Sequence, residues 1–250
     1  MTPAPPIEAV LFDALGTLIE LRPPAPLLVR ELRERHGLSV TQAEAERALV
    51  AEMSFYRLNN HLASDPVGLR ELRRRCTEVL RAQLPVPVRA LDPDELTRTL
   101  LASLWFEPYP DARGAMEALR ALGLRLAIVS NWDISLHDVL DRTGLAGLLD
   151  AAVTSAEVGA SKPDPALFIA ALARVGCDPE RALHVGDSLA DDVLGARAAG
   201  VAAVLLRRGT GRPVAGPGRD GDPGEGLAGR GVRVIASLPE VVALVTPAAA

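Results

Sequence analysis

Cysteine is scarce in this sequence of 250 residues: Cys76 and Cys177 lie far apart, and neither has a His or Cys neighbour at a metal-ligand spacing. That excludes a disulfide framework and a cysteine-based metal centre, and leaves two reduced packing residues as the expectation. Long hydrophobic runs are missing too. No segment reaches the roughly 18 uninterrupted apolar residues of a membrane span. The opening MTPAPPIEAVLF has no basic stretch leading into an apolar core and a small-residue cleavage site, so no export signal is read and the expected location is cytoplasmic. A long run of one charge sign is absent as well. With 27 basic and 32 acidic side chains the net charge is -5, and neither nucleic acid nor an anionic membrane is expected as a partner. There is no internal repeat.

What the chain does have is 48% hydrophobic and 24% charged residues, enough for one large core or two smaller ones. Short runs rich in Val, Ile and Leu recur at 7–12, 124–129, 151–153, 182–185 and 202–206, each reading as a buried strand. Helical patterns lie between the later ones. In ARGAMEALRALG, Met116, Leu119 and Leu122 share a face and Gly123 is a stop signal. Strand and helix thus alternate, which predicts an α/β fold with a doubly wound parallel sheet.

From Leu21 to about Ser103 the pattern changes, with amphipathic helices such as LLVRELRERHG and LRELRRRCTEVLRAQL and no strand-like run. The expectation is two domains: an α/β core over 1–20 and 104–250, and a smaller all-helical cap over 21–103 whose exit is marked by Pro108 and Pro110. Between Gly209 and Gly231 the chain is dominated by Gly, Pro and charged residues, which predicts a mobile surface loop, and VRVIASLPEVVALV then closes the core.

Open parallel sheets bind ligands beyond the carboxyl ends of their strands, so polar residues directly after apolar runs are the candidates. Four places qualify: Asp13-Ala14-Leu15-Gly16-Thr17-Leu18, Ser130-Asn131, Lys162-Pro163-Asp164-Pro165, and Gly186-Asp187-Ser188 with Asp191 and Asp192 following. Together they offer carboxylates, a lysine and a hydroxyl. Such a set can hold a hard divalent cation through oxygens and an anionic group through Ser, Lys and backbone N–H groups.

In this order the four segments resemble the motifs of the haloacid dehalogenase superfamily, and the helical insert after the first strand is similar to its helical-cap subfamily I. The wording DALGTL, SNWD and HVGDSLADDVLGARAAG is most similar to the branch related to rhythmically expressed proteins. The resemblance implies a magnesium-dependent hydrolase acting on a small anionic molecule. It implies Asp13 as nucleophile, with Ser130 and Lys162 holding the transferred group and Asn131 and Thr17 supporting it. Mg2+ would be held by Asp13, by the backbone carbonyl of Leu15 and by Asp187. Asp192 would help through water or a hydrogen bond, with Asp191 as the competing acid.

Position 15 departs from the pattern. Phosphatases of the superfamily carry a second aspartate there as general acid and base, a role worth about 10² to 10⁴ in rate; this chain has Leu15. Three readings follow, in this order: a phosphate-transferring hydrolase acting on a good leaving group or borrowing an acid from the cap, where Tyr56, Arg57 and His61 are the residues to inspect; a dehalogenase; and a non-catalytic protein that binds a phosphorylated ligand.

Each motif also has an ordinary explanation. Asp13 suits a strand-end turn, Ser130-Asn131 a helix cap, Lys162 a solvated lysine, and the acids from Asp187 to Asp192 the positive end of a helix. His184 reads as a hydrogen-bonded core residue, and His36 and His137 as surface residues. Trp105 and Trp132 read as packing residues or as lining the space between core and cap, and the run Arg73 to Arg75 reads as a solvated helix face, with contact to an anionic substrate as the alternative. Neither the substrate nor the oligomeric state has a signature in the sequence.

Overall fold

The computed structural model describes residues 5–209 and 231–246. The loop expected between Gly209 and Gly231 therefore falls, but for its two ends, outside the described residues. In chain order the elements begin with β1 (Ala9–Phe12) and β2 (Ile19–Leu21). Five helices follow: α1 (Pro24–His36), α2 (Gln42–Asn59), α3 (Pro66–Gln83), α4 (Val86–Arg89) and α5 (Pro93–Ser103). Next come β3 (Phe106–Pro108), α6 (Ala112–Ala121), β4 (Arg125–Ser130), α7 (Leu136–Arg142), β5 (Ala151–Thr154), α8 (Ser155–Val158) and α9 (Pro165–Val175). The chain closes with β6 (Ala182–Gly186), α10 (Gly195–Ala198), β7 (Ala202–Leu206), β8 (Arg233–Ile235) and α11 (Pro239–Val245).

Six strands form one sheet in the order β5-β4-β1-β6-β7-β8, with every pairing parallel. Parallel strands are covered on both faces, and the alternation along β1 shows how. Val10 and Phe12 join Leu126, Ile128 and Val185 in a core shared with α6, α7 and α11. Ala9 and Leu11 face the other way, into a core with Ala127, Val129 and α9. From β1 the chain winds outward through β4 and β5, then returns to the opposite side of β1 to lay down β6. The topological switch point thus lies between β1 and β6, where a crevice opens at the carboxyl ends of the strands.

The five helices between β2 and β3 pack around a third core, built from Leu28, Leu32, Leu49, Leu72, Leu80 and Leu100 among others. One element escapes sequence reading: β2 and β3 pair antiparallel, Ile19 with Pro108 and Leu21 with Phe106, so both chain crossings into the helical insert run through a short ribbon. Three-residue strands carry too little alternation to register as a period. Pro108 closes β3, the second strand of this ribbon.

Candidate active site

β1 ends at Phe12, and the N–H of Asp13 donates to the Val185 carbonyl of β6 (2.9 Å), so position 13 projects from the switch point. The chain then folds back tightly. The N–H of Leu18 and of Ile19 both donate to the Ala14 carbonyl (2.9 Å each), and the N–H of Gly16 donates to the Ile19 carbonyl (2.7 Å). Gly16 has φ 90, in the left-handed region that glycine enters without a Cβ penalty. Leu15, half-buried, lines the cavity above the sheet.

Lys162 reaches this place from the long connection between β5 and β6. Its Nζ donates to Asp13 Oδ1 and to Asp192 Oδ1, 2.7 Å each, and the residue is 5% exposed. Burial alone would push the ammonium down; Asp13 and Asp192 more than offset it and hold the pKa above its ordinary value. The Ser130 hydroxyl at the end of β4 donates to Asp13 Oδ1 at 3.4 Å. Asn131 acts on the lysine's backbone: its Oδ1 accepts from Lys162 N–H (2.7 Å) and its Nδ2 donates to the Lys162 carbonyl (3.1 Å).

Beyond β6, Ser188 N-caps a π-helical turn at Leu189–Leu194. This turn brings Asp192 back over Gly186, where a Cβ would overlap the Asp192 carboxyl. Asp192 Oδ1 accepts from Lys162 and from His184 Nε2 (3.0 Å), and Oδ2 accepts from the Ser188 N–H (2.9 Å). Against the upward pull of burial, Lys162 and His184 hold its carboxyl below the usual carboxylate range. Asp13, Asp187 and Asp192 each offer an oxygen within 4.8 Å of the others. Asp192, not Asp191, is thus the acid that joins the cluster, although Asp191 lines the same cavity.

The structure brings Asp13, Leu15, Ser130, Asn131, Lys162, Asp187 and Asp192 to one cavity of about 880 Å³. Thr17 is placed differently: it is fully buried, its carbonyl accepts from Arg208 (2.8 Å), its Oγ1 has no hydrogen-bond partner among the described residues, and it is absent from the cavity wall. Of the insert residues singled out, Tyr56 and Arg57 line the cavity and His61 does not. Trp132 lines it, whereas Trp105 is 58% exposed and bonds Glu107. Arg73 faces it, while Arg74 pairs with Glu71 and Arg75 lies over the Phe55 ring. His184 is a core residue as read, bonded to Asp192 and edge-on to Phe168. His137 is exposed, but His36 is half-buried, its Nε2 2.8 Å from Thr99 Oγ1 at the α1–α5 seam.

The insert contributes cavity residues that sequence reading passed over. Glu52 and Cys76 line the wall opposite the strand ends. The signal for Glu52 was present: in α2 it shares a helical face with Ala45, Ala48 and Leu49, an acid on an apolar stripe.

A family description of haloacid dehalogenase-like hydrolase matches residues 7–200. The chain belongs to the haloacid dehalogenase-like hydrolases. As a member of this family it is an enzyme, a hydrolase. It is 30% identical over 213 residues to glyceraldehyde 3-phosphate phosphatase of Methanopyrus kandleri, covering 81% of this chain and 85% of that protein. It is 32% identical over 211 residues to haloacid dehalogenase-like hydrolase domain-containing protein 3 of Mus musculus, covering 80% and 82%. A crystal structure of a HAD phosphatase from Thermococcus onnurineus superposes with TM-score 0.60 at 27% identity, covering 95% of this chain and 97% of that one.

Proposed function

We propose that this hydrolase is a Mg2+-dependent phosphatase that forms a covalent intermediate on Asp13, acting on a small phosphorylated metabolite with a good leaving group. The observation that carries this reading is the convergence of three carboxylates within 4.8 Å with a buried ammonium 2.7 Å from Asp13. Phosphatase-named relatives spanning most of the chain support it.

The donor set suits the metal. Asp13 and Asp187 offer hard carboxylate oxygens, and the Leu15 carbonyl would add a third without needing an acidic side chain. Asp192, its oxygens engaged by Lys162, His184 and Ser188, serves by orienting Lys162 and through water. When bound, the ion supplies positive charge that offsets repulsion between Asp13 and an anionic phosphate. Asp13 then attacks phosphorus, the ester oxygen departs with the bonding pair, and water releases phosphate from the aspartyl group in a second step. Lys162 and Ser130 hold the phosphoryl oxygens, with Asn131 keeping the lysine loop in place and Thr17 holding the Asp13 loop through its carbonyl contact. On this reading the described residues within 1–20 and 104–250 make the core and 21–103 the cap, with the substrate entering between them.

The test is a panel of aryl, acyl and alkyl phosphates and 2-haloacids, assayed with Mg2+ or chelator, with Asp13→Asn as blank. Mg2+-dependent phosphate release absent from the blank is the expected result. Chelator-resistant halide release, or ligand binding without turnover, overturns the reading. Because Leu15 supplies no proton, Leu15→Asp is expected to raise kcat/KM toward alkyl phosphates by about 10² or more while changing aryl and acyl phosphates far less. An equal gain on all classes would refute this account of position 15.

A further inference from the structure

The insert's share of the cavity wall holds a group that this chemistry leaves unused. Glu52 is 5% exposed and lines the cavity among apolar neighbours such as Met53, Leu72 and Leu100. Its polar neighbour is the Cys76 thiol of α3, and among the described residues no cation acts on it, Arg57 and Arg73 included, although both line the same cavity. A carboxylate in such surroundings is costly unless a cation or several donors meet it. Burial accordingly pushes the Glu52 carboxyl up to about 7, with the thiol acting in the opposite sense.

The geometry of α2 separates this group from the reacting atoms. The helix stands with its C-terminal end on the core: Asn60 Nδ2 donates to the Asn131 carbonyl (3.2 Å), and the Tyr56 hydroxyl accepts from the Asp133 N–H (3.4 Å). From position 60 back to 52 is eight residues, which at about 1.5 Å each places Glu52 about 12 Å further along the axis. A general acid has to lie within hydrogen-bond reach of the leaving oxygen. Position 52 lies deeper in the insert than the Asn60 and Tyr56 contacts with the core, so its carboxyl lines the part of the cavity away from the strand ends.

We propose that Glu52 reads the distal end of the substrate, and that the site takes a phosphorylated compound whose leaving portion carries a protonated amine pairing with the Glu52 carboxylate between α2 and α3. This rests on the reading of Asp13, Ser130 and Lys162 as the phosphate pole. The amine supplies a counter-charge that no cation among the described residues provides. A hydroxyl would leave the charge unmatched, and a methyl terminus would leave it unsolvated.

Calorimetric titration in Mg2+ with n-alkyl phosphonates and ω-aminoalkyl phosphonates of matched length tests the proposal, with inorganic phosphate titrated alongside. In the wild type the amino series is expected to bind roughly tenfold tighter than the methyl-ended series at one intermediate chain length. In Glu52→Gln the affinity ratio at that length falls to about one. A ratio near one at every length in the wild type, or a preference that survives Glu52→Gln, overturns the proposal. Failure of the phosphate pole looks different: inorganic phosphate then fails to bind the wild type, and both readings fall together.

Discussion

With its ammonium 2.7 Å from both Asp13 and Asp192, Lys162 joins two carboxylates that would otherwise repel in a place water scarcely reaches. Removing one member of such a group leaves buried charge without compensation, at a cost of about 3–5 kcal/mol. Lys162→Met is therefore expected to lower unfolding free energy by that order in chelator, read by denaturant titration. It should also lower kcat by about 10² to 10³. An unaffected unfolding midpoint would show the lysine to be electrostatically idle. Glu52 behaves in the opposite sense. Folded, it keeps its proton to about pH 7, whereas its ordinary value is 4.5. The folded state thus binds more protons across that window, and the stability this group contributes is fully present below pH 4.5 and lost as pH rises through about 7. Glu52→Gln is expected to match the wild type in acid and to exceed it by about 3 kcal/mol at pH 8 and above. A wild-type-minus-variant difference that stays flat from pH 4 to 8 would contradict this.

Single elements set these residues in place through their ends. Thr41 begins α2 with a capping box: its side chain accepts from the Glu44 N–H (3.2 Å), and the Glu44 carboxylate accepts from the Thr41 N–H (2.8 Å). Thr41→Ala is expected to cost about 1 kcal/mol in unfolding free energy. Because the box lies at the far end of α2 from the Asn60–Asn131 contact, kcat/KM should stay within twofold of wild type, roughly the scatter of a neutral surface change. A larger loss would mean that α2 positions Tyr56 and Glu52 along its whole length. α1 ends at Gly37, which sits at φ 67 with its N–H donating to the Arg33 carbonyl. The π-helical turn after β6 was not legible in advance, since no local residue pattern distinguishes it from an ordinary helix start. That turn decides which of two adjacent aspartates meets Asp13.

Over the whole molecule, the site exists because the chain reverses its winding at β1. Asp13 comes from one side of the reversal, Asp187 from the other, and Lys162 from the connection that crosses between them. Three acids converging from two segments, the loop after β1 and the turn after β6, repel one another, so a cation binding there should stabilise the fold by mass action. Added Mg2+ is expected to raise the Tm of the wild type and to leave Asp187→Asn nearly unmoved; equal shifts in both would place the ion elsewhere. No helix among the described residues is long and apolar enough to cross a membrane. The strand runs, the helical insert and the polar residues at strand ends were readable in the sequence, because period, composition and turn chemistry are local properties of the chain. The β2–β3 ribbon, the choice of Asp192 over Asp191, the withdrawal of Thr17 from the cavity and the burial of Glu52 beside Cys76 were decided by tertiary structure alone. Each depends on which distant segment lies opposite, and residue order carries no direct record of that.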